Sequence, residues 1–405
     1  MTKPTPMTDF IRVPYGLAVH DEEEINAVVD VLRTSTQMGN RTRQFENVIA
    51  KEFSHTHGIM TNSGSSALTL AMEAFSLPPG SEVITPALTF ATTVACIVQA
   101  GCIPVFVDVG ENDYVMNPSL IEEMITDKTR AIVAPNLMGN IVDWGTVSSI
   151  AKKHGLKILE DSADILGVQY QGKNLGNYAD ISITSFYGSH IINCAGNGGM
   201  AMTSNDDYAN RMRLLRSWGR SSSLFVESES IENRFNIDVD GIPYDAKFVF
   251  EALGYNMEGA ELGAAYGLEQ YKKLPNFLAR RKEVVGRHMK FFSRYEEFLE
   301  LPEYTAESDT VWFAFPMKVK KGAPFSRRDV QVFLENRNIQ TRVVFTGNIT
   351  RQPGFKDLPM RKHPNGFGNA DGVMGRGFLL GSHHGITEAM LEHLYSSFAE
   401  FIESQ

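Results

Sequence analysis

The sequence predicts an α/β fold: a large domain around a mostly parallel sheet, followed by a smaller α+β domain. Short runs rich in β-branched residues alternate with helical stretches from residue 58 to about residue 205. Such alternation is typical of parallel strands joined by crossover helices. The chain has 405 residues, 43% of them hydrophobic, so it can bury a large core and form two or three domains.

The large domain is predicted at residues 12–265, after a tail at residues 1–11. Its predicted strands are short and apolar: Gly58–Thr61, Glu82–Thr85, Pro104–Val109, Ala131–Pro135, Lys157–Asp161 and Ile181–Phe186. Residues 206–250 are polar, which predicts an irregular segment. That segment is either a solvated insertion or a loop that covers a substrate.

A linking helix is predicted at residues 266–299, and its basic stretch Arg280–Lys282 is predicted to be a solvated face. The small domain is predicted at residues 300–405. Strand-like and helix-like runs indicate its α+β character: Val311–Val319, Arg327–Arg337, Gln340–Phe345 and Glu388–Ser404.

The composition argues against several classes of protein. A net charge of −10 argues against a surface that binds nucleic acid. The chain has neither a signal-peptide pattern nor a run of about 18 apolar residues, so we expect a cytoplasmic protein without a membrane partner. Its three cysteines, Cys96, Cys102 and Cys194, show no C-x-x-C spacing, so we expect neither a metal site nor a disulfide framework.

A possible phosphate site follows the first predicted strand. Gly64, Ser65 and Ser66 open a helix there, and their backbone N–H groups and hydroxyls could hold a phosphate. Taken alone, this string is better explained as a Ser N-cap without a ligand.

Four further residues at predicted strand ends carry chemistry. Phe90 could stack on a heteroaromatic ring, and Asp161 ends a buried strand, where a carboxylate needs a partner such as a protonated pyridine nitrogen. Ser185 could add a hydroxyl to the phosphate site. His190, five residues later, could then transfer a proton at the reactive carbon, although imidazole cannot form a stable imine as lysine does.

These pieces occur in the order seen in the DegT/DnrJ/EryC1/StrS sugar aminotransferases, a family of aspartate-aminotransferase fold, and the resemblance covers about residues 12–400. It implies pyridoxal or pyridoxamine phosphate as cofactor, with Gly64–Ala67 at the phosphate and Asp161 on the pyridine nitrogen. Asp164 belongs to the same cofactor segment. Leu253–Asn256 is similar to the family's G-Y-N motif, in which the equivalent of Asn256 reaches the neighbouring subunit's phosphate, so the resemblance implies a homodimer with shared active sites.

Within the family, the chain resembles the sugar 3-dehydratases, which carry a histidine at the position of His190 where aminotransferases carry lysine. This branch removes the C3 hydroxyl of a nucleotide-linked 4-keto-6-deoxyhexose in deoxysugar biosynthesis, including that of lipopolysaccharide O-antigens. The resemblance implies that His190 is the base and that glutamate regenerates pyridoxamine phosphate. It also implies substrate-binding residues at four positions: Trp218, Arg220, Arg342 and Asn348.

The chain departs from the CDP-sugar member of this branch, which has four cysteines after the Trp218–Arg220 segment for a [2Fe–2S] cluster. Because these four cysteines are absent, we expect no iron–sulfur cluster and a reaction that needs no reductase. Asn197 stands where the usual motif of the family has glutamate. Glu258 stands where many family members have a basic residue after the G-Y-N motif. The open alternatives are a reductase-coupled dehydrase, a non-catalytic relative that binds cofactor or nucleotide sugar, and a Lys-to-His variant of a sugar aminotransferase.

Overall fold

The computed structural model of the chain describes residues 10–225 and 230–405. Residues 1–9 of the predicted tail lie outside the described residues. Within the described residues, no helix combines the length and apolar character needed to cross a bilayer.

The strands differ in length from two to seven residues. In chain order they are β1 His57–Thr61, β2 Glu82–Pro86, β3 Ile103–Val107, β4 Thr129–Pro135, β5 Lys157–Asp161, β6 Gln169–Tyr170, β7 Lys173–Asn174, β8 Ile181–Ser185, β9 Gly199–Thr203, β10 Ile237–Val239, β11 Ile242–Tyr244, β12 Leu299–Glu300, β13 Ser308–Asp309, β14 Ala314–Val319, β15 Thr341–Val343, β16 Arg361–Lys362 and β17 Gly377–Gly381.

The helices include one much longer than the others. In chain order they are α1 Glu22–Arg33, α2 Asn40–Glu52, α3 Gly64–Ala74, α4 Ala91–Gln99, α5 Trp144–His154, α6 Asp206–Arg216, α7 Ile231–Phe235, α8 Glu261–Phe292, α9 Arg327–Asn336, α10 Gly368–Arg376 and α11 Glu388–Glu403.

The large sheet has eight strands in the order β1-β9-β8-β5-β4-β2-β3-β16. Strand β9 runs antiparallel to both of its neighbours, and the remaining pairs are parallel. The α/β prediction with a mostly parallel sheet is therefore confirmed. The carboxyl ends of β1, β2, β4, β5 and β8 consequently lie at one edge of this sheet, where α/β proteins bind ligands.

The core lies on both faces of the sheet. In β4, Ala131 and Val133 pack into one hydrophobic cluster, whereas Ile132 and Ala134 pack into the other. Side chains of a strand point alternately to opposite faces, so a strand covered on both sides must be apolar at every position. This explains why β4 forms a continuous apolar run in the sequence.

A four-stranded antiparallel sheet, in the order β12-β14-β17-β15, forms the centre of the C-terminal region. Strand β16 leaves this region and pairs with β3 of the large sheet. The chain after residue 299 thus contributes to both sheets.

The structure corrects the prediction of an irregular segment at residues 206–250. That segment begins with α6, whose Ala209, Met212 and Leu215 are buried, and it also contains the hairpin β10-β11. Many charged residues on the outer face of α6 obscured its helical periodicity.

Candidate active site

A cavity of about 410 Å³ opens at the carboxyl edge of the large sheet. Strands β1, β5 and β8 lead directly into segments that line it. Most of the residues predicted for the cofactor site border this cavity: Gly64, Ser65, Phe90, Asp161, Asp164, Ser185 and His190.

The N-terminus of α3 forms one end of the cavity. Ser63 caps the helix, because its Oγ accepts a hydrogen bond from the backbone N–H of Ser66 at 3.1 Å. Gly64 packs against Ser185, and a Cβ on this glycine would lie 2.8 Å from the Ser185 Cβ. The loop and the strand end approach this closely only because residue 64 is glycine. Free N–H groups and the helix dipole make this end suited to a phosphate.

Asp161 is a buried carboxylate on the cavity wall. Its Oδ2 accepts a hydrogen bond from Thr93 Oγ1 at 2.7 Å, and its Oδ1 accepts one from the backbone N–H of Ala163 at 3.2 Å. Burial raises the pKa of Asp161, while these hydrogen bonds lower it. A cation in the cavity would stabilise the ionised carboxylate, which fits a protonated pyridine nitrogen.

Asp164 is the second buried acid of the cavity. Burial raises its pKa to about 7, although the backbone N–H of Met138 donates to Oδ2 at 2.9 Å. Asp164 therefore exchanges a proton near neutral pH, whereas an ordinary aspartate is fully ionised there.

Phe90 lies at the mouth of the cavity and is half exposed. Its ring contacts Phe345 edge to face, with 6.0 Å between centroids. An apolar ring left half exposed at a cavity offers a surface on which a planar heteroaromatic ligand can stack.

His190 is held by the backbone and by aromatic rings. Its Nδ1 lies 3.2 Å from the carbonyl oxygen of Ser185, which can only accept, so this contact favours the tautomer with the proton on Nδ1. Phe313 packs edge to face on the imidazole with 5.2 Å between centroids, and Tyr187 does so at 6.0 Å.

The surroundings of His190 keep its ring neutral. Burial lowers the pKa of His190 to about 4; the backbone carbonyls of Ser185 and Ala163 oppose this shift, and the charge of Arg281 adds to it. At neutral pH, the imidazole is therefore uncharged and can act as a base. None of the residues that line the cavity in the described chain is a lysine.

Comparison with known proteins identifies the family of this chain. The sequence profile of the DegT/DnrJ/EryC1/StrS aminotransferase family matches residues 18–399. The chain belongs to this family. Among its relatives, dTDP-4-dehydro-2,6-dideoxy-D-glucose 3-dehydratase of Saccharopolyspora spinosa is 35% identical over 402 residues, which cover 96% of this chain and 86% of the relative.

Solved structures of family members agree with the fold. The E. coli GDP-4-keto-6-deoxy-D-mannose-3-dehydratase with bound hydrated PLP has a TM-score of 0.85 and 27% identity, covering 96% of this chain and 99% of that one. A structure of GDP-4-keto-6-deoxymannose-3-dehydratase with a trapped PLP-glutamate geminal diamine has a TM-score of 0.85 and 26% identity, covering 95% and 100%. The predicted family and its aspartate-aminotransferase-like fold are confirmed.

Two predicted residues of this family member make structural contacts away from the cavity. Ser66 Oγ donates to Asn62 at 2.6 Å on the outer side of the loop. Asn348 is buried, donates to Asp371 at 2.8 Å and caps the short helix that begins at Ile349. Neither side chain borders the cavity in the described chain.

The remaining predicted residues lie near the surface. Asn256 is exposed, and Arg220 lies over the ring of Trp218, 4.2 Å from its centroid. Arg342 is exposed too, 5.4 Å from the ring centroid of Tyr15. These residues do not line the cavity of a single chain, although Tyr15 does.

Sequence reasoning missed several residues around the cavity. Thr93 positions Asp161, and Tyr15 lines the cavity from the N-terminal segment. Asn136 follows β4, and its position just after an apolar strand was an available signal. Arg281 was predicted on a solvated face, which is wrong, because its side chain is fully buried.

Proposed function

We propose that this chain is a dehydratase that uses pyridoxal and pyridoxamine phosphate and removes the C3 hydroxyl of a nucleotide-linked 4-keto-6-deoxyhexose. The observation that carries the proposal is the neutral imidazole of His190 at a cavity that has an acid for a pyridine nitrogen but, among the described residues, no lysine. The imidazole of His190 cannot form an imine with the cofactor as lysine does. The bound sugar can therefore lose its C3 hydroxyl instead of being converted into an amino sugar.

The residues of the cavity fit the cofactor. Asp161 would hold the pyridinium, Phe90 would cover the ring, and the loop of Gly64 and Ser65 together with Ser185 would bind the phosphate. When bound, pyridoxamine phosphate supplies an amine for the C4 ketone and a ring that accepts electrons.

His190 moves the protons of this reaction. Its Nε2 accepts a proton while neutral, and the imidazolium that results can donate it to the departing C3 hydroxyl, which leaves as water. The carbonyl of Ser185 keeps Nδ1 protonated and so fixes which nitrogen acts. Glutamate is the proposed amino donor; overall it is oxidised to 2-oxoglutarate and ammonia is released, which balances the reduction at C3.

A homodimer with shared active sites is part of the proposal. Leu253 is 99% exposed, and the stretch of chain before it carries further exposed apolar side chains. They are Ile231, Phe235, Ile242, Tyr244, Phe248 and Phe250. So many exposed apolar side chains in one stretch of chain favour a protein partner. In a dimer, Asn256 would reach the phosphate of the partner's cofactor, and Trp218, Arg220 and Arg342 are proposed substrate contacts.

The decisive experiment offers CDP-, GDP- and dTDP-linked 4-keto-6-deoxyhexoses to the protein with pyridoxal phosphate and glutamate. Mass spectrometry should find a sugar that has lost the C3 oxygen without any added reductase. An amine at C4 would contradict the proposal, and a strict need for a reductase would establish the reductase-coupled alternative.

Two variants of His190 complete this experiment. His190→Asn should keep cofactor binding, followed by absorbance, and lose turnover by about three orders of magnitude, the range of a general base. If the unchanged protein binds cofactor and turns over no sugar, the non-catalytic alternative holds. If His190→Lys converts it into an efficient aminotransferase, the histidine is a replacement in an aminotransferase site.

Sedimentation tests the dimer separately. Leu253→Glu should shift the protein towards monomers, because it places a charge in the apolar surface. The matched control is Leu32→Glu, a substitution of another exposed leucine, in α1, which should leave the association state unchanged.

A further inference from the structure

Arg281 is a buried cation in the interior of α8. Within the described part of the chain, its Nε has no hydrogen-bond partner. Burial lowers the pKa of the guanidinium to about 10, and the Tyr15 hydroxyl acts against this. No carboxylate of residues 10–225 and 230–405 pairs with Arg281, and a buried charge without such a partner is costly, so packing alone does not explain its position.

The contacts of Arg281 lead to the base. Its guanidinium donates to the carbonyl oxygen of Phe313 at 3.0 Å, and its Cζ lies 5.6 Å from the centroid of the Phe313 ring. That ring packs edge to face on His190. The backbone N–H of Phe313 donates to the carbonyl of Met138 at 2.7 Å, which fixes the segment from its other side.

We propose that Arg281 is a positioning residue for His190: it fixes the backbone and ring of Phe313, and this ring holds the imidazole with Nδ1 on the Ser185 carbonyl. This role rests on the proposed function, in which His190 is a base that must present one defined nitrogen to the substrate. Arg281 does not line the cavity, so it acts through Phe313.

The charge of Arg281 adds an electrostatic contribution. The titratable groups that share the cavity with His190 come from different segments and are Tyr15, Asp161, Asp164 and Tyr187. Burial raises the pKa of Asp164 to about 7, which reduces its negative charge near neutral pH, and burial also raises the pKa of Asp161. The cation of Arg281 adds to the effect of burial on His190 and favours the neutral form of the imidazole.

Imidazole NMR of the full-length protein tests this without an enzyme assay. With ¹⁵N-histidine, His190 should show the proton on Nδ1 and should not titrate above about pH 5. In Arg281→Gln, which retains a donor but no charge, the titration midpoint should rise by about one pH unit. Phe313→Leu should instead mix the two tautomers, because the ring that holds the imidazole is gone.

Arg280→Gln is the matched control, since it removes the same charge from a side chain that pairs with Glu283 on the surface. It should leave both tautomer and midpoint unchanged. Unchanged His190 signals in Arg281→Gln and Phe313→Leu would overturn the proposal. If Arg281→Gln fails to fold, Phe313→Leu decides alone: a preserved Nδ1–H tautomer refutes positioning, and a mixture supports it.

The activity assay then separates this inference from the proposed function. If the unchanged protein has no dehydratase activity, the proposed function fails while the NMR result still stands. If it is active, Phe313→Leu should lower kcat about tenfold with little change in KM. In Arg281→Gln, the acid limb of kcat/KM should move up with the NMR midpoint, a change that a merely structural arginine would not cause.

Discussion

Single residues at the cavity derive their chemistry from their neighbours. His190 is a base at neutral pH because burial lowers its pKa and the Ser185 carbonyl holds the proton on Nδ1. Asp161 depends likewise on Thr93, whose hydroxyl donates to its buried carboxylate. Each of these residues can be tested by changing its neighbour.

We expect Thr93→Val to weaken the binding of pyridoxal phosphate about tenfold, because a buried carboxylate loses its hydroxyl donor and ionises less readily. The dissociation constant follows from a fluorescence titration. Thr85→Val is the matched control, since the Thr85 hydroxyl is buried without a partner in the described chain. Equal dissociation constants for the two variants would rule out this role of Thr93.

The lowered pKa of His190 also predicts a pH profile. A histidine whose pKa falls from 6.5 to about 4 stays in the basic form at every pH well above 4. The rate kcat/KM for the nucleotide sugar should therefore show no acid limb with a midpoint near 6.5. A limb there that disappears in His190→Asn, measured in its residual activity, would contradict this prediction.

At the scale of elements, α8 joins the two regions of the chain and carries glycines in opposite environments. Gly267 packs against Phe45, and a Cβ there would lie 2.8 Å from the ring, whereas a Cβ on Gly286 would have no neighbour within 4 Å. Replacement of glycine by alanine should therefore have opposite effects on stability at these two positions of α8.

Gly286→Ala should raise the free energy of unfolding by about 0.5–1 kcal/mol, because alanine restricts the unfolded chain and suits a helix. Gly267→Ala should lower it by about 1–3 kcal/mol through overpacking. Chemical denaturation of the two variants measures both changes. Stabilisation by Gly267→Ala would show that α8 and α2 are packed less tightly than described.

The bounds of the strands show which elements local sequence patterns can predict. Strand β5 has the predicted bounds, and β2 and β8 differ from theirs by one residue, because buried strands form unmistakable apolar runs. Strand β16 has only two residues, and its partner strand β3 lies far away in the sequence. No local pattern distinguishes so short a strand from a loop.

At the scale of the whole molecule, buried histidines affect stability as a group. Burial lowers the pKa of five of them, and these are His55, His190, His288, His383 and His384. Between the folded pKa, which is about 3 for His384 and about 4 for the others, and the unfolded value of 6.5, the unfolded chain binds more protons at these sites. Their contribution therefore reduces stability as the pH falls through this window. Glu160 and Asp164, with a raised pKa of about 7, oppose this trend.

His55 allows this contribution to be measured away from the cavity. Its pKa is lowered to about 4, and its ring contacts Ser182 and Ser204. As the pH falls from 6.5 to 5, the unchanged protein should lose about 2 kcal/mol of stability relative to His55→Gln. Urea denaturation at several pH values gives this difference; a constant difference would show that the pKa of His55 is the same in the folded and the unfolded protein.

The sequence by itself determined the fold class and the order of the residues at the strand ends. Apolar runs and the residues that follow them are local features, so they are enough to predict Asp161, Ser185 and His190 at one edge of a sheet. The histidine at the position where aminotransferases of the family carry lysine is equally visible in the sequence.

Only the tertiary structure decided which distant residues complete the site. Arg281 stands between two other cations in the sequence, and nothing local distinguishes it from Arg280; its burial follows from the packing of α8 against the segment of Phe313. Asn348 is polar and near predicted site residues, yet it faces Asp371. Contacts between residues far apart in the chain depend on how elements pack, and that packing is set by the whole core rather than by any local pattern.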